Sequence, residues 1–139
     1  VTVGPGAVSG DIYSVLDPVD QTVVSGTCLP VGYSGLALGG GLGTLSRMHG
    51  AAVDQVIEFE VVLADYSIVQ ANSTHNSDLY WALSGAGHSA FGIVTSFVVR
   101  TIDTSVSKFQ FRKFKPKDDD ASNAPEALVQ WQNAFVATE

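Results

Sequence analysis

The segment 26–43 constrains this chain most, because it contains seven of the fourteen glycines in an otherwise apolar stretch without a charged side chain. Glycine loses more conformational freedom on folding than any other residue, so this density is costly. The backbone must either approach something closely or adopt positive φ repeatedly. A polyanion bound here would be held by main-chain N–H groups. A crossover that needs glycine only for tight packing is the alternative.

Three glycine motifs compete for this segment. A P-loop requires a lysine directly after its glycines, and the first lysine of the chain is Lys108. A Rossmann fingerprint lacks its third glycine at Ser46, and the surrounding strands do not alternate with helices as that fold demands. The nucleophile elbow of hydrolases has the pattern Gly-x-Ser-x-Gly, and the sequence Gly32-Tyr33-Ser34-Gly35 is one residue too short for it. The remaining candidate ligand is a dinucleotide pyrophosphate. It would be bound by backbone amides and by the N-terminus of a helix predicted over 44–49.

The composition indicates one folded domain. Of 139 residues 45% are apolar and 15% charged, which excludes a disordered chain. The sequence has no run of 18 apolar residues, so no membrane span is predicted. No signal-peptide pattern is visible. Because the sequence starts at Val1, we expect a segment before it. Residues 1–99 contain eight acids and one base, Arg47, which disfavours nucleic-acid binding. The basic run 108–117 is followed by three aspartates and is interpreted as a solvated strand and turn.

Periodicity predicts an α+β fold with a mainly antiparallel sheet flanked by helices. Ser9 is the expected N-cap of the first helix, and Asn76 or Ser77 that of the third. The predicted helices span 9–16, 44–49, 76–83 and 126–137. The predicted strands span 1–3, 22–24, 53–64, 68–71, 91–102 and 109–114.

Isolated reactive side chains give weaker signals. Cys28 is the only cysteine, and by pattern alone it is interpreted as a small buried hydrophobe. His49, His75 and His88 have no metal-ligand spacing, so no metal is predicted. Asn72 begins an N-glycosylation sequon, which weakly favours a secreted protein.

The order and spacing of the motifs resemble a known family of flavoproteins. The quoted segments are Gly26-Thr-Cys28, Leu38-Gly-Gly-Gly41, Ser46-Arg47, Val61-Val-Leu-Ala-Asp65, Asn76-Ser-Asp-Leu-Tyr-Trp81 and Phe91-Gly-Ile-Val-Thr-Ser-Phe97. Together they are similar to the second half of the PCMH-type FAD-binding domain in FAD-linked oxidases of the vanillyl-alcohol-oxidase and berberine-bridge-enzyme type. The resemblance covers residues 1–103 as a partial FAD-binding domain. Residues 104–139 resemble loosely the beginning of the substrate-binding domain.

The resemblance implies an extended FAD and an oxidase that passes a hydride from an alcohol, sugar or related small molecule to FAD and then to dioxygen. Cys28 matches the position that bonds the flavin through sulfur in bicovalent members. His49 matches a position beside the flavin. The implied cofactor-binding residues are Cys28, Gly32, Gly35, Leu38, Gly39, Gly40, Gly41, Gly43, His49, Gly87, Gly92 and Ile93.

Three departures from the family bear on activity. The upstream flavin-linking lobe and the segment that supplies the usual catalytic base are not in this sequence, so the catalytic residues are unknown. Tyr66 replaces the glycine of the family's Ala-Asp-Gly turn. We therefore expect the chain alone not to be fully competent. The alternative is a non-catalytic binding or effector protein derived from the lobe, which self-associates or pairs with the missing parts.

Overall fold

The computed structural model describes residues 1–87, 90–105 and 124–136. Two compact units are present, Val1–Ser107 and Lys108–Glu139. The first unit is α+β, as the periodicity predicts. The described part of the second unit is one helix, α5 (Ala124–Val136). The predicted strand 109–114 lies outside the described residues. The domain division at residues 103 and 104 stays a prediction.

A four-stranded antiparallel sheet forms the centre of the first unit, in the order β1-β5-β3-β4. A separate two-stranded antiparallel ladder joins β2 to β6. The strands are β1 (Thr2–Val3), β2 (Gln21–Thr22), β3 (Val56–Val62), β4 (Ile68–Asn72), β5 (Ile93–Val99) and β6 (Ile102–Asp103).

Four further α-helices belong to the described part of this unit, and three of them contribute buried residues to its core. They are α1 (Ser9–Leu16), α2 (Tyr33–Leu38), α3 (Ser46–His49) and α4 (Ser77–Ala86). The rings of Tyr33 and Phe59 both contact Phe97 edge-on, with centroids 5.9 and 5.6 Å apart. Leu83 of α4 and Ile12 of α1 are buried in the same core. The glycine-dense segment is thus attached to the sheet through α2.

The hairpin predicted from the alternation of residues 53–71 is confirmed, with β3 and β4 in antiparallel register. Asp65 closes its turn by accepting hydrogen bonds from the N–H and the hydroxyl of Ser67, at 3.0 and 2.6 Å. Tyr66 has φ +68° at this turn and is 89% exposed. The turn therefore places Tyr66 in the left-handed conformation, which glycine adopts without a steric penalty.

Several predicted boundaries are corrected. Val8, and not Ser9, is the N-cap of α1, because Ser9 is already the first helical residue and its buried hydroxyl pairs with that of Ser25. Residues 53–55 form a 3-10 turn before β3, and α3 begins at Ser46 and not at 44. Asn76 is the N-cap of α4, but its side chain donates to the carbonyl of Gln70 and makes no cap hydrogen bond.

The segment 26–43 is also not one continuous loop, since it contains α2. The predicted strand 91–102 is divided, because β5 ends at Val99 and β6 begins at Ile102. Sequence periodicity missed α2 because two of its six residues, Ser34 and Gly35, are poor helix formers. Packing of Tyr33, Ala37 and Leu38 into the core supplies the stability that propensity does not.

Candidate cofactor-binding site

The segment that carries Cys28 is fastened to the first two turns of α1. Three hydrogen bonds of 2.9 Å run from Ser9 N to the Val31 carbonyl, from Gly10 N to the Leu29 carbonyl, and from the Tyr13 hydroxyl to the Gly26 carbonyl. Within the segment, Val31 N donates to the Cys28 carbonyl at 3.2 Å. The backbone on both sides of Cys28 is therefore fixed by contacts distant in sequence.

A buried polar pair lies beside this segment. The hydroxyls of Ser9 and Ser25 are 2.7 Å apart, and the Ser9 hydroxyl also donates to the Val31 carbonyl at 3.3 Å. Burial raises the pKa of the Tyr13 hydroxyl, and the hydrogen bond with Ser25 opposes this effect. Tyr13 therefore stays a neutral donor at physiological pH, which is the form that its bond to Gly26 requires. Sequence reasoning missed these three residues, although the four-residue spacing of Ser9 and Tyr13 along one helix was a usable signal.

Cys28 is exposed, so its interpretation as a small buried hydrophobe is wrong. The thiol lies on the outer side of a segment whose main chain is held from within. An exposed thiol at a fixed place is what a covalent anchor requires, because it must meet an incoming group without a rearrangement of the fold.

Four glycines of the predicted site are explained by packing inside the chain. A methyl group added at Gly43 would overlap the Ser25 carbonyl, and one at Gly87 would lie 2.7 Å from Leu38 and 2.8 Å from the Leu83 carbonyl. Gly41 and Gly92 have φ of +77° and +146° and equally close neighbours. For these positions the packing alternative accounts for glycine without a ligand.

Gly32 and Gly35 differ from that group. A methyl group at either position would meet nothing within 4 Å, and neither residue has positive φ. Both residues are exposed, and both follow Cys28 within seven positions. Gly40 also faces open space, but its φ of +100° by itself requires glycine. No contact in the described part of the chain requires glycine at Gly32 or Gly35, and the same holds for Gly4 and Gly6.

The amides of the Gly39–Gly43 turn are only partly available. Gly39 N and Gly40 N donate to the carbonyls of Leu36 and Ala37, at 3.3 and 2.9 Å, and Gly43 N donates to the Ser46 hydroxyl at 3.0 Å. Across residues 1–87, 90–105 and 124–136, the amides of Gly41 and Leu42 have no acceptor. Fewer amides are therefore available to bind the predicted pyrophosphate than the glycine pattern indicates.

The remaining predicted site residues lie in different environments. Leu38 is buried, with its side chain in the core and its carbonyl accepting from Gly87 N at 3.3 Å. His49 ends α3 half-buried, and its carbonyl accepts from the Gln55 amide. Ile93 begins β5 and is 70% exposed. His88 lies outside the described residues.

The fold is an α+β lobe in which the exposed Cys28 is followed by two exposed glycines, Gly32 and Gly35. Comparison with known proteins then gives the family. Residues 1–72 match the model of an FAD binding domain family. The chain is 50% identical over 101 residues to a xylooligosaccharide oxidase from Thermothelomyces thermophilus, over 72% of this chain and 20% of that protein. It is 50% identical over 95 residues to the FAD-dependent monooxygenase tpcD of Cochliobolus heterostrophus, over 68% of this chain and 18% of that one.

Solved structures agree with the sequence comparison. The Physcomitrella patens BBE-like 1 protein superposes with a TM-score of 0.71 and 41% identity, over 73% of this chain and 22% of that one. The chain belongs to the FAD binding domain family, and its structural relatives are flavoprotein oxidases of the vanillyl-alcohol-oxidase and berberine-bridge-enzyme type. FAD is the cofactor of this family. The chain spans about a fifth of the length of the curated relatives quoted above.

Two further observations concern partners and ions. Among the described residues, no helix combines the length and the apolar character that crossing a membrane requires. Within the same residues, no three His, Cys, Asp or Glu side chains are grouped so that they could bind a metal.

Proposed function

We propose that this chain is the FAD-binding portion of a secreted FAD-linked oxidase that acts on an alcohol, a sugar or a related small molecule. One observation supports the proposal most strongly. An exposed thiol, Cys28, lies on a fixed segment followed by Gly32 and Gly35, and no contact within the described chain explains glycine at those two positions. A flat ring system that passes close to the backbone accounts for all three residues.

In the proposed site the chemistry of hydride acceptance belongs to FAD, and the protein supplies position and electrostatics. Gly32 and Gly35 admit the cofactor close to the backbone. The amides of Gly41 and Leu42, which have no acceptor among the described residues, would be free to donate to its phosphates. Tyr13 and the Ser9–Ser25 pair keep the Cys28 segment in place from the inner side.

Cys28 is proposed to form a thioether to the flavin ring. Such a bond would replace the thiol hydrogen and one hydrogen of a ring carbon, and dioxygen would take up both hydrogens with their electrons as hydrogen peroxide. A covalent bond would also retain the cofactor in a lobe that forms only part of a cleft. The fixed main chain around Cys28 reduces the entropic cost of reaching the reactive geometry.

The substrate itself is proposed to contact parts of the enzyme other than residues 1–103. Relatives of similar identity over this region are named as a xylooligosaccharide oxidase and as a monooxygenase, so the region is shared by enzymes with different names. We propose that residues 104–139 begin the substrate-binding domain. We also propose that the chain pairs with the remaining parts of the enzyme, and that it is not fully competent alone.

A glycine variant and its matched control test the cofactor face. Gly35→Leu adds a bulky side chain that favours helix at a position facing open space, so the fold should be retained while FAD is excluded. Gly4→Leu adds the same side chain at a second open position, distant in sequence from Cys28. Titration of the chain with FAD, followed by flavin fluorescence, should show binding that is at least tenfold weaker for Gly35→Leu and unchanged for Gly4→Leu.

Equal binding by both variants would contradict the placement of the cofactor beside Gly35. A chain that takes up no FAD, but forms a stable oligomer by light scattering, would instead support the non-catalytic binding or effector protein.

A further inference from the structure

The sequence Asn72-Ser73-Thr74 takes no part in the proposed cofactor site. It is the only Asn-x-Ser/Thr triplet in the chain, because Asn76, Asn123 and Asn133 are not followed by Ser or Thr two residues later. Asn72 is the last residue of β4, which lies at the edge of the sheet. The three residues that follow it are exposed. The triplet is therefore located at a strand end with open surface beyond it.

The side chain of Asn72 has a defined orientation. Its Oδ1 accepts hydrogen bonds from Thr74 N and Thr74 Oγ1, both at 3.0 Å, and from His75 N at 2.8 Å. Three donors on one carbonyl oxygen hold the carboxamide plane in one orientation in the folded protein. The Thr74 hydroxyl that defines the triplet is thus bound directly to the acceptor amide.

The side-chain nitrogen of Asn72 uses only one of its two hydrogens in a hydrogen bond. Nδ2 donates to Glu58 Oε2 at 2.7 Å, across the β3–β4 pair. Its second hydrogen has no acceptor among the residues that the structure describes. N-linked modification replaces only one amide hydrogen. A sugar on Nδ2 and the bond to Glu58 are therefore compatible with the same side-chain conformation.

We propose that Asn72 is the attachment site of an N-linked oligosaccharide. The co-reactant is a lipid-linked oligosaccharyl pyrophosphate of the eukaryotic secretory route. A bond forms between Nδ2 and the anomeric carbon, the bond from that carbon to the pyrophosphate oxygen breaks, and the amide proton leaves with the lipid pyrophosphate. The inference rests on the secreted location in the proposed function and is independent of FAD.

The test is expression of the full chain behind a secretion leader in yeast, with peptide N-glycosidase treatment of both the medium and the cell extract. Analysing the extract keeps the test valid if a variant folds poorly, because the sugar is transferred to the nascent chain. Intact mass should fall on treatment, and peptide mass spectrometry should find aspartate at position 72. Asn72→Gln and Thr74→Ala should abolish the change, whereas the matched Thr74→Ser should retain it.

An unchanged mass in both the medium and the extract would overturn the proposal, as would a glycan that persists in Asn72→Gln. Binding of FAD by the same preparation is measured separately, so loss of the glycan site and failure of the oxidase proposal give different results.

Discussion

At the scale of single residues, Tyr66 is the clearest conflict between side chain and backbone. A tyrosine at φ +68° experiences the steric clash of the left-handed region, and its side chain is 89% exposed and packs against little. Tyr66→Asn should raise the free energy of unfolding by about 1 kcal/mol, because asparagine tolerates this conformation. Urea unfolding measures the change. Ser67→Asn, at the neighbouring position without positive φ, is the control and should not stabilise. Equal stability of Tyr66→Asn and the parent would show that the turn relaxes around tyrosine.

Tyr33 is the second residue whose side chain is at odds with its environment. Its ring is fully buried against Phe97, and its hydroxyl has no hydrogen-bond partner within the described chain. Burial raises the pKa of the Tyr33 hydroxyl far above its ordinary value, so the group stays neutral. Tyr33→Phe should stabilise the protein by about 1 kcal/mol, since an unpaired buried polar atom is removed and the ring contact is kept. A destabilised Tyr33→Phe protein in thermal unfolding would indicate a bound water at the hydroxyl.

The β3–β4 turn also predicts a pH dependence. The Ser67 hydroxyl first, and then the Ser67 N–H, lower the pKa of Asp65 below its ordinary value. A carboxylate with a lowered folded pKa stabilises the fold above its ordinary pKa, and this stabilisation disappears as the pH falls through the lowered value. Ser67→Ala should therefore move the Asp65 pKa upward in an NMR titration. Asp103, whose pKa is lowered by Ser105, is the internal control and should not move. An unmoved Asp65 would contradict the assigned cause.

At the scale of elements, glycines of the segment 26–43 fall into two classes that predict opposite outcomes. Gly43→Ala forces a methyl group onto the Ser25 carbonyl, so the turn and the Cys28 segment must separate. We expect a loss of about 3 kcal/mol, the upper part of the range for overpacking. Gly35→Ala faces open space inside α2 and should gain up to about 1 kcal/mol. Denaturant unfolding of the two variants separates the classes, and similar stabilities would contradict the packing described for Gly43.

Sequence reasoning reached the elements better than their contacts. The β3–β4 hairpin, α1 and the helix at 77 follow from alternation, helical spacing and turn chemistry, which are local signals. The helix α2 was missed, because its stability comes from burial of Tyr33 and Leu38 and not from propensity. The glycine pattern located the candidate site, but it could not separate Gly43, which packs on Ser25, from Gly35, which packs on nothing. That distinction depends on residues distant in sequence that only the fold brings together.

At the scale of the whole molecule, the described lobe has one exposed thiol, Cys28, on a segment whose main chain is hydrogen-bonded to α1. This segment is held by hydrogen bonds from Ser9, Gly10 and Tyr13 of α1 to main-chain carbonyls on both sides of Cys28. Preorganisation of this kind reduces the cost of binding.

The most direct test of the central claim is covalent flavin uptake by the chain. The protein is incubated with FAD in air, precipitated with acid, and examined by visible absorbance and intact mass. Flavin absorbance should stay with the precipitate and the mass should increase by one FAD less two hydrogens, whereas Cys28→Ala should bind FAD reversibly and lose it in acid. A colourless precipitate from the parent chain, or acid-stable flavin on Cys28→Ala, would contradict it.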